Sequence, residues 1–441
     1  MTTSARQTRA AATRQRILAA ARELFVAQGY RSTSLRDIAA AASVSHPGLL
    51  GHFASKDDLL AEVVAEFEQE NADAFAETAA AAEPGALIFA ELAARNARTP
   101  GYLELFAALT GEASAPAHPA HERMRERYAQ MHELSVDALQ ESVIHGVIAP
   151  DRDLDGESIR HTAAWDGLQL LSQYLPDRVD VVTMLEERES LWAMPFGWRD
   201  PEEVGACSDQ PAPLPTAFPT LWADAAADAG YAVGRKRRAQ ILADAMHLFS
   251  RSGYGDTSLR DIAEAVGVSK STLLHHYGSK EMLLSAVLSE RDRAIQATLD
   301  TAGLSTAAEA LRAIPEGARH SAVDEPGLIE VYAVLSCEAV PEAHPAHDYF
   351  ARRFTEGIDY FAELFRRAQV EGALPAHRDP EHEAVWLIAL WDGLQYQWLY
   401  DRDAVDTGDQ LRAHLADVLP GAEPRAGGDQ FAATTASTPS P

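Results

Sequence analysis

The sequence predicts an all-α protein made of two tandem copies of one helical unit. Apolar residues recur three and four positions apart through most of the chain, and alanine, the best helix former, is abundant while aromatic residues make up only 7%. A unit of about 190 residues is present twice, which is the pattern of an internal duplication. With 441 residues the chain is also too long for one ordinary domain.

The duplication is clearest near the start of each copy. Residues 14–64 of copy 1 and residues 238–288 of copy 2 align without a gap and are identical at 27 of 51 positions. Further on, PGYLELFAALTGEA at Pro100 matches PGLIEVYAVLSCEA at Pro326, HPAH occurs in both copies, and AWDGLQ matches LWDGLQ. The offset between the copies grows only from 224 to 226 residues, so the duplicated unit is a whole protein.

Each aligned block predicts a helix-turn-helix after a first amphipathic helix. In copy 1 that first helix ends at Gly29, a favoured residue for a helix C-terminus. Thr33 and Ser34 stand at the N-cap of a short second helix and Ser45 at the N-cap of a third, with Val44 in the turn between them. Two short helices joined by a tight turn can place the second one in the major groove of DNA. The apolar periodicity predicts about nine helices in each copy.

The distribution of charge supports contact with nucleic acid at these two blocks. The chain carries a net charge of −28, whereas residues 1–60 and residues 231–280 each carry +4 and the remainder carries −36. Positively charged surfaces attract the phosphate backbone, so the two blocks are the candidate DNA-binding parts. Basic runs are predicted to precede the first helix of each copy, as arms that touch DNA or simply solvate a terminus: Arg6, Arg9, Arg14, Arg16 and Arg235–Arg238.

The two blocks resemble the DNA-binding domain of TetR-family repressors. The resemblance rests on the succession GY, TSLRDIA, ASVS, LL, HF and SKDDLL in copy 1, and on GY, TSLRDIA and VGVSKSTLLHHYGSKEMLL in copy 2. It covers about 60 residues per copy, and the rest of each copy is similar to the family only in being helical. The resemblance implies a dimer joined through a four-helix interface, with a small-molecule pocket in each C-terminal body and ligand-driven separation of the DNA readers.

The resemblance also implies roles for individual residues. The threonine before the second helix and the lysine opening the fourth would bind phosphate, and the start of the third helix would read bases. With neighbouring residues of the motif, the predicted DNA-binding set is Thr33, Ser34, Arg36, Ser45, His46, Pro47, Gly48, His52 and Lys56 in copy 1, and Thr257, Ser258, Arg260, Ser269, Lys270, Ser271, Thr272, His275, His276, Tyr277 and Lys280 in copy 2.

The two predicted recognition helices differ in sequence. Where the family often has a phosphate-binding tyrosine, copy 1 has Gly51 and copy 2 has His275. Pro47 and Gly48 give copy 1 few side-chain hydrogen bonds for reading bases, whereas Lys270 and its neighbouring hydroxyls give copy 2 several. We therefore expect an asymmetric double-stranded operator, with one strongly and one loosely specified half-site.

Two features of the C-terminal halves are candidates for a ligand pocket. The first is the tryptophan–aspartate pair of the repeated WDGLQ motif. These residues either line a pocket or simply pack in the core and interface. Gly167 and Gly393, in the same motif, would let another helix approach closely. The second is a glutamate followed by the two histidines of HPAH, where the intervening proline favours a structural turn over a metal site. The predicted pocket residues are Glu112, His118, His121, Trp165 and Asp166, with Glu338, His344, His347, Trp391 and Asp392 in copy 2.

Other features narrow the class of protein. Cys207 and Cys337 are too few for a disulfide framework or a zinc site, and no apolar run is long enough to span a membrane. No phosphate-binding loop, nucleophile elbow or pair of catalytic carboxylates is found. We therefore expect a cytoplasmic protein that is not an enzyme and requires neither a cofactor nor a metal.

Together these patterns predict seven segments. They are a basic N-terminal arm (1–11), a helix-turn-helix domain (12–72), a helical regulatory domain (73–194), a proline-rich linker (195–234) with a short helix near Leu221–Ala229, a second helix-turn-helix domain (235–296), a second regulatory domain (297–420) and a disordered tail (421–441). We expect a repressor relieved by a small-molecule effector, with the two copies paired inside one chain that binds DNA as a monomer or in a higher assembly. The alternatives are an activator of the same architecture and a ligand-binding or interaction module whose DNA binding has decayed in copy 1.

Overall fold

The computed structural model describes residues 2–30, 33–99, 101–200, 214, 232–299, 304–324 and 326–421. These residues form eighteen α-helices and no strand, nine helices in each copy, which confirms the predicted all-α fold. The predicted linker helix and the predicted tail beyond residue 421 lie outside the described residues.

The helices of copy 1 are α1 (Thr2–Gln28), α2 (Leu35–Ala41), α3 (His46–Leu50), α4 (Lys56–Ala81), α5 (Phe89–Arg98), α6 (Tyr102–Glu112), α7 (His121–Ile144), α8 (Leu154–Tyr174) and α9 (Val181–Leu191). Those of copy 2 are α10 (Ala232–Asp256), α11 (Leu259–Val266), α12 (Lys270–Tyr277), α13 (Lys280–Thr298), α14 (Ala307–Asp324), α15 (Pro326–Glu338), α16 (His347–Val370), α17 (Pro380–Tyr400) and α18 (Thr407–Val418).

Each copy begins with one long helix followed by two short ones. The first helix of copy 1 ends at Gly29, whose φ of 78° is left-handed and is readily adopted by glycine. Ser34 then caps α2 through a reciprocal pair of hydrogen bonds with Asp37, at 3.2 and 3.1 Å. Ser258 and Asp261 form the same capping box at the start of α11. The second helix of each copy, α2 or α11, therefore begins at the predicted capping serine.

The basic residues ahead of each helix-turn-helix lie within the first helix, which corrects the prediction of separate arms. Because α1 begins at Thr2 and α10 at Ala232, all four arginines of residues 6–16 and the run Arg235–Arg238 are helical. The alanine-rich sequence around these arginines in copy 1 contains no proline or glycine that would end a helix. The helix therefore continues almost to the N-terminus.

The regulatory bodies of the two copies pack on each other through α8 and α17, which make the most extensive helix–helix contact in the described part of the chain. A Cβ atom placed on Gly167 would lie 2.0 Å from the carbonyl oxygen of Ala389, and one on Gly393 would lie 1.8 Å from that of Ala163. Only glycine permits so close an approach of two backbones. The prediction that these glycines admit a neighbouring helix is confirmed.

Buried ion pairs lie beside this helix pair. Arg152 and Arg378 occupy equivalent positions and bind Glu157 at 2.9 Å and Glu383 at 2.7 Å in their own copies. Both arginines also contact Asp417 of copy 2, at 3.4 and 3.0 Å. Burial would raise the pKa of Asp417, but Arg378 and Arg152 outweigh that effect and lower the pKa to about 2. Asp417 therefore stays ionised at neutral pH and connects the charged networks of the two copies.

The apolar core is divided unequally between the copies. The helix-turn-helix of copy 1, together with α6, has a core of its own, whereas that of copy 2 merges with one continuous core through both regulatory bodies. Tyr400, at the end of α17, belongs to the copy 1 cluster.

The start of the predicted linker packs on copy 2, since the ring of Trp198 lies on that of His377 with 5.0 Å between ring centres. None of the described helices combines the length and apolarity needed to cross a membrane.

Candidate functional site

The recognition helix of copy 2 presents several polar side chains. Lys270, Ser271 and His275 are exposed on α12, which has eight residues. The hydroxyl of Ser269 accepts the backbone N–H of Thr272 at 3.1 Å, so this residue caps the helix rather than standing free for a base. The ammonium of Lys270 and the imidazole of His275 are therefore left for reading base edges in copy 2, while the hydroxyl of Ser271 shares a hydrogen bond with that of Ser269 at 2.8 Å.

The recognition helix of copy 1 is shorter and offers fewer such groups. It has five residues, and Ser45 caps it by accepting the backbone N–H of Gly48 at 3.1 Å. Pro47 and Gly48 are exposed and His46 is half-buried. The large apolar side chain of Leu50 is 42% exposed on the same helix. His46 is thus the main side-chain hydrogen-bonding group at the start of α3.

Four further members of the predicted DNA-binding set lie at the N-termini of α2 and α11. Ser34 and Ser258 are exposed caps, and Arg36 and Arg260 are exposed cations two residues further on, within the first turn. An exposed arginine at a helix N-terminus is well placed to bind a phosphate oxygen. Their role in DNA binding stays a prediction.

Thr33 and Thr257 are turned away from solvent, which corrects their predicted side-chain contact with phosphate. Both are almost fully buried, and their hydroxyls donate to the carbonyl oxygens of Gly29 at 2.9 Å and Gly253 at 2.7 Å. The carbonyls at the end of a helical stretch lack intrahelical partners. In copy 1 the threonine supplies one just after α1, and in copy 2 it supplies one at the kink in α10, where Gly253 has a φ of 71°. These threonines therefore stabilise the loop that leads into the helix-turn-helix.

Lys56 and Lys280 are turned toward the same loops. The ammonium group of Lys56 donates to the carbonyl oxygen of Tyr30 at 3.0 Å and lies 4.3 Å from the centre of the Tyr30 ring. The ammonium group of Lys280 lies 3.5 Å from the carbonyl oxygen of Gly255 and 4.0 Å from the centre of the Tyr254 ring. If either lysine also binds a phosphate, its ammonium group would have to contact the phosphate and the backbone carbonyl at the same time.

Tyr277 is a core residue, which corrects its place in the predicted DNA-binding set. It is 2% exposed, and its hydroxyl donates to the backbone carbonyl of Arg238 at 2.9 Å. The guanidinium of Arg238 lies 4.2 Å from the centre of the tyrosine ring. Phe53 occupies the equivalent position in copy 1 and is also buried. The ring seals the junction between the first helix and the recognition helix, so it cannot reach a DNA groove.

The glutamate and first histidine of the HPAH region join each helix-turn-helix to its regulatory body. In copy 2 the carboxylate of Glu338 accepts the backbone N–H groups of Tyr254 and Gly255, each at 2.5 Å. His344 lies 4.0 Å from the same carboxylate and packs edge-on against Tyr254, with ring centres 5.2 Å apart. Burial lowers the pKa of His344 to about 4, so its ring is neutral at pH 7.

We call this contact of the glutamate and the first HPAH histidine with the end of the first helix the joint of a copy. Copy 1 has an equivalent joint, and residues of copy 2 contact it. His118 lies 4.0 Å from Glu112 and packs edge-on against Tyr30, with ring centres 5.1 Å apart. The ring of His121 stacks on Tyr400 of copy 2, with ring centres 5.4 Å apart. The Tyr400 hydroxyl donates to a backbone carbonyl near the end of α6 at 2.9 Å. The end of α17 therefore rests on the joint of the other copy.

The reciprocal contact is also present. His347 of copy 2 stacks on Tyr174 of copy 1 with ring centres 5.2 Å apart, and the Tyr174 hydroxyl donates to the carbonyl oxygen of Ser336 at 2.6 Å. In copy 2 the carboxylate of Glu338 satisfies two backbone N–H groups just after the kink in α10. Six predicted pocket residues lie at these joints and do not line the cavity described next, which corrects that part of the prediction: Glu112, His118, His121, Glu338, His344 and His347.

Trp391 and Asp392 line a cavity inside the regulatory body of copy 2. It measures about 430 Å³, counting the part that opens to solvent, and helices α13, α15, α16 and α17 form its walls. Most of the lining is apolar and aromatic, as is usual for sites that bind small molecules. Besides Trp391, the apolar side chains are Ile295, Leu299, Phe354, Phe361 and Ile388.

Charged groups lie at one side of this cavity. Arg353 pairs with the buried Asp292 at 3.3 Å. Oδ2 of Asp392 and Nε of Arg291 are buried without a hydrogen-bond partner among the described residues. Burial raises the pKa of Asp392 to about 7, although Arg291 and Arg353 oppose that effect. A buried polar atom without a partner destabilises the fold unless a ligand or water satisfies it.

The equivalent place in copy 1 is filled by the protein itself. Tyr128 stands where copy 2 has Phe354, and its hydroxyl donates to Oδ2 of Asp166 at 2.7 Å. Phe67 stands where copy 2 has Arg291, and it is 1% exposed. The carboxylate of copy 1 is thus satisfied internally, whereas its counterpart in copy 2 is not.

A larger hollow between the copies was not predicted from sequence. It measures about 790 Å³, counting its open part, and lies between α7 and α8 of copy 1 and the end of α17, with Tyr128 and Ala404 in its lining. In the reciprocal place copy 1 has Arg178 instead of alanine. The Arg178 guanidinium binds Asp359 and Glu381, each at 2.7 Å, so the two sides of the interface differ.

Sequence reasoning also missed the arginines of the copy 2 cavity. Arg291 lies on a helix face that otherwise carries the apolar residues Ile295 and Leu299, so periodicity assigns it to the core. The available signal was the comparison of the copies, since Phe67 is its counterpart. A charged residue in place of a core phenylalanine destabilises the fold unless the charge is paired or contacts a ligand.

Comparisons with known proteins place these features in a family. The family described as bacterial regulatory proteins, tetR family, matches residues 17–63 and again residues 241–287. The family described as BetI-type transcriptional repressor, C-terminal, matches residues 337–421. The HTH-type transcriptional regulator AcrR of Shigella flexneri is 25% identical over 194 residues, which cover 42% of this chain and 88% of that protein. The regulatory protein RaaS of Mycobacterium tuberculosis is 29% identical over 196 residues, covering 42% and 82%.

Shorter and structural matches were also found. The regulator RutR of Escherichia coli K12 is 49% identical over 57 residues, which cover 13% of this chain and 26% of that protein. A crystal structure of a TetR-family regulator from Agrobacterium tumefaciens is 25% identical and covers 42% of this chain and 99% of its own, with a TM-score of 0.37. The DNA-binding family matches this chain twice, while AcrR and RaaS each correspond to less than half of it. The chain belongs to the TetR family of transcriptional regulators and carries two TetR-type helix-turn-helix domains in tandem.

Proposed function

We propose that this regulator is a repressor that binds operator DNA as a single-chain pseudo-dimer and leaves it when a small molecule occupies its regulatory part. The observation that carries the proposal is the reciprocity of the contacts between the copies. Tyr400 rests on the joint of copy 1, and Tyr174 rests on the joint of copy 2. Equivalent contacts in both directions are the mark of a two-fold interface between subunits.

Release from DNA requires a route from a ligand to the DNA readers. Helix α17 carries Asp392 at the cavity and, about two turns later, Tyr400 at the joint of copy 1. Helix α13 carries Arg291 at the cavity and begins at Lys280, beside the loop of copy 2. A ligand that moves these two helices would act on both readers at once, which would alter the spacing of about 34–36 Å needed for adjacent major grooves.

A gel-shift assay and a reporter assay test this proposal together. The full chain should retard DNA fragments selected from a random library, and removing its gene should raise transcription from promoters that carry the selected sequence. A fall in transcription would indicate the activator alternative. Failure to select any sequence would contradict DNA binding itself.

A second candidate is a regulator in which only copy 2 reads DNA. The shortness of α3 and the exposure of Pro47 and Gly48 favour it. Charge reversals separate the two candidates, because Arg36→Glu should weaken operator binding in the pseudo-dimer and leave it unchanged if copy 1 does not touch DNA. Arg260→Glu is the matched variant in copy 2 and should weaken binding in both cases.

A further inference from the structure

We infer that this regulator takes up one effector per chain, in the copy 2 cavity alone, and that the effector is a neutral amphipathic molecule whose polar end both donates and accepts hydrogen bonds, as a primary amide does. The cavity in question is the one lined by Trp391, Asp392 and Arg291. The release of DNA on effector binding rests on the proposed function, whereas the binding of the effector in the cavity does not.

The walls of the cavity define the body of this molecule. Phe354, Phe361 and Trp391 contribute aromatic faces and Ile388 an aliphatic one. A ring or a short alkyl chain would gain free energy by leaving water for this surface.

The polar side of the cavity defines the other end of the molecule. Two arginines, Arg291 and Arg353, stand against two aspartates, Asp292 and Asp392, so the formal charges balance. A carboxylate or a quaternary ammonium would add a buried charge, and the ammonium would also lack a donor for Asp392. An amide oxygen can accept from Nε of Arg291 while the amide N–H₂ donates to Oδ2 of Asp392. Both are atoms without a hydrogen-bond partner among the described residues.

The restriction to copy 2 follows from two substitutions between the copies. In copy 1 the hydroxyl of Tyr128 already occupies Oδ2 of Asp166, at 2.7 Å, and Phe67 replaces the arginine donor. In copy 2 Phe354 has no hydroxyl, so Asp392 remains available. The carboxylate of Asp392 is thus available to a ligand, whereas that of Asp166 is hydrogen-bonded within the protein.

Titration calorimetry of the full chain with three probes of the same body tests the inference. The probes are 3-phenylpropionamide, 3-phenylpropionate and phenethyltrimethylammonium. We expect the amide to bind with one site per chain and the acid and the cation to bind at least tenfold more weakly. Two sites per chain, a preference for either charged probe, or no binding of the amide at millimolar concentration would overturn the inference.

Exchange of the deciding residue between the copies locates the site. Phe354→Tyr should transfer the internal hydrogen bond to copy 2, reduce amide affinity at least tenfold and raise the melting temperature. The matched change Tyr128→Phe in copy 1 and the change Ala404→Arg, which fills the hollow between the copies, should leave amide affinity within twofold. If Ala404→Arg abolishes binding while Phe354→Tyr does not, the inference is wrong. Asp392→Ala serves as a second cavity variant, with the same tenfold loss expected, should Phe354→Tyr fold poorly.

The same preparations distinguish the inference from the proposed function. If the chain retards operator DNA but binds no amide, the inference fails and the proposed function stands. If the amide binds but the chain retards no DNA, the proposed function fails and the inference stands. When both hold, the amide should lower the affinity of the wild-type chain for DNA and leave that of Phe354→Tyr unchanged.

Discussion

Lys270 and His46 occupy equivalent positions at the start of the two recognition helices, and they differ in reach and in charge. A long ammonium side chain can contact a guanine edge, whereas the half-buried imidazole of copy 1 stands beside Pro47 and Gly48, which offer no side-chain donor. Copy 2 should therefore specify its half-site more strongly than copy 1.

We expect Lys270→Ala to relax selectivity in the strong half-site alone, because base substitutions there should each cost about 1–3 kcal/mol in the wild-type complex. His46→Ala should affect only the weaker half. Competition binding at fixed salt, with one base pair changed at a time, measures both effects. A palindromic operator with equally sensitive halves would contradict this asymmetry.

Asp392 gives a second prediction at the residue scale. Its pKa is raised from 3.8 to about 7 by burial, so between these values the unfolded chain has lost a proton that the folded chain keeps. Stability therefore falls as pH rises through this interval, and the loss is complete above it. Asp392→Asn should remove the loss, and its gain in unfolding free energy should be about 3 kcal/mol larger at pH 8 than at pH 5.

The matched control for this prediction is Asp166→Asn in copy 1. Burial raises the pKa of Asp166 to about 6, a smaller shift than that of Asp392. The pH-dependent gain should accordingly be smaller. Urea unfolding curves at the two pH values measure both variants, and an equal gain at pH 5 and pH 8 for Asp392→Asn would show that this carboxyl does not titrate as described.

At the scale of elements, the crossing of α8 and α17 holds the two regulatory bodies together. Gly393→Ala should force these helices apart, because the new Cβ would lie 1.8 Å from the carbonyl oxygen of Ala163. We expect the unfolding free energy to fall by about 1–3 kcal/mol. Gly327→Ala is the control, since a Cβ there meets nothing within 4 Å. Similar losses for both variants in urea unfolding would mean that close approach at this crossing is not what matters.

The same pair of helices explains why the joints are shared between the copies. Each ends in a tyrosine that stacks on the second histidine of the opposite HPAH motif, Tyr174 on His347 and Tyr400 on His121. A small rotation of α8 against α17 would therefore move both tyrosines and both joints. Packed helices tend to shift between discrete arrangements rather than to deform continuously, which suits a switch.

At the scale of the whole molecule, one chain should be equivalent to a dimer of an ordinary family member. Light scattering of the smallest complex competent for DNA should report a protein mass of 47.8 kDa, one chain for each operator. The reason is that each copy already buries the surface through which a second subunit would bind. A minimal complex containing two chains, with the same copy of each chain on DNA, would contradict intramolecular pairing.

Local features of the sequence determined much of this protein. The capping serines Ser34 and Ser45, Gly29 at the end of the first helix and the glycines of WDGLQ were all assigned from sequence, and the structure places them at helix termini and at the helix crossing. Such signals act through hydrogen bonds and sterics within about four residues, so they can be read without the fold. The duplication likewise needs no structure to be recognised.

Only the tertiary structure decided which side chains face inward and what they meet. Thr33 and Tyr277 match the motif of a DNA-binding domain, yet both are buried, because the first helix packs across them. Glu338 meets its backbone partners 83 and 84 residues away in the chain, and the availability of Asp392 depends on a phenylalanine of another helix. Burial and partnership of a polar group are set by distant segments brought together in folding, and no local pattern of residues contains that information.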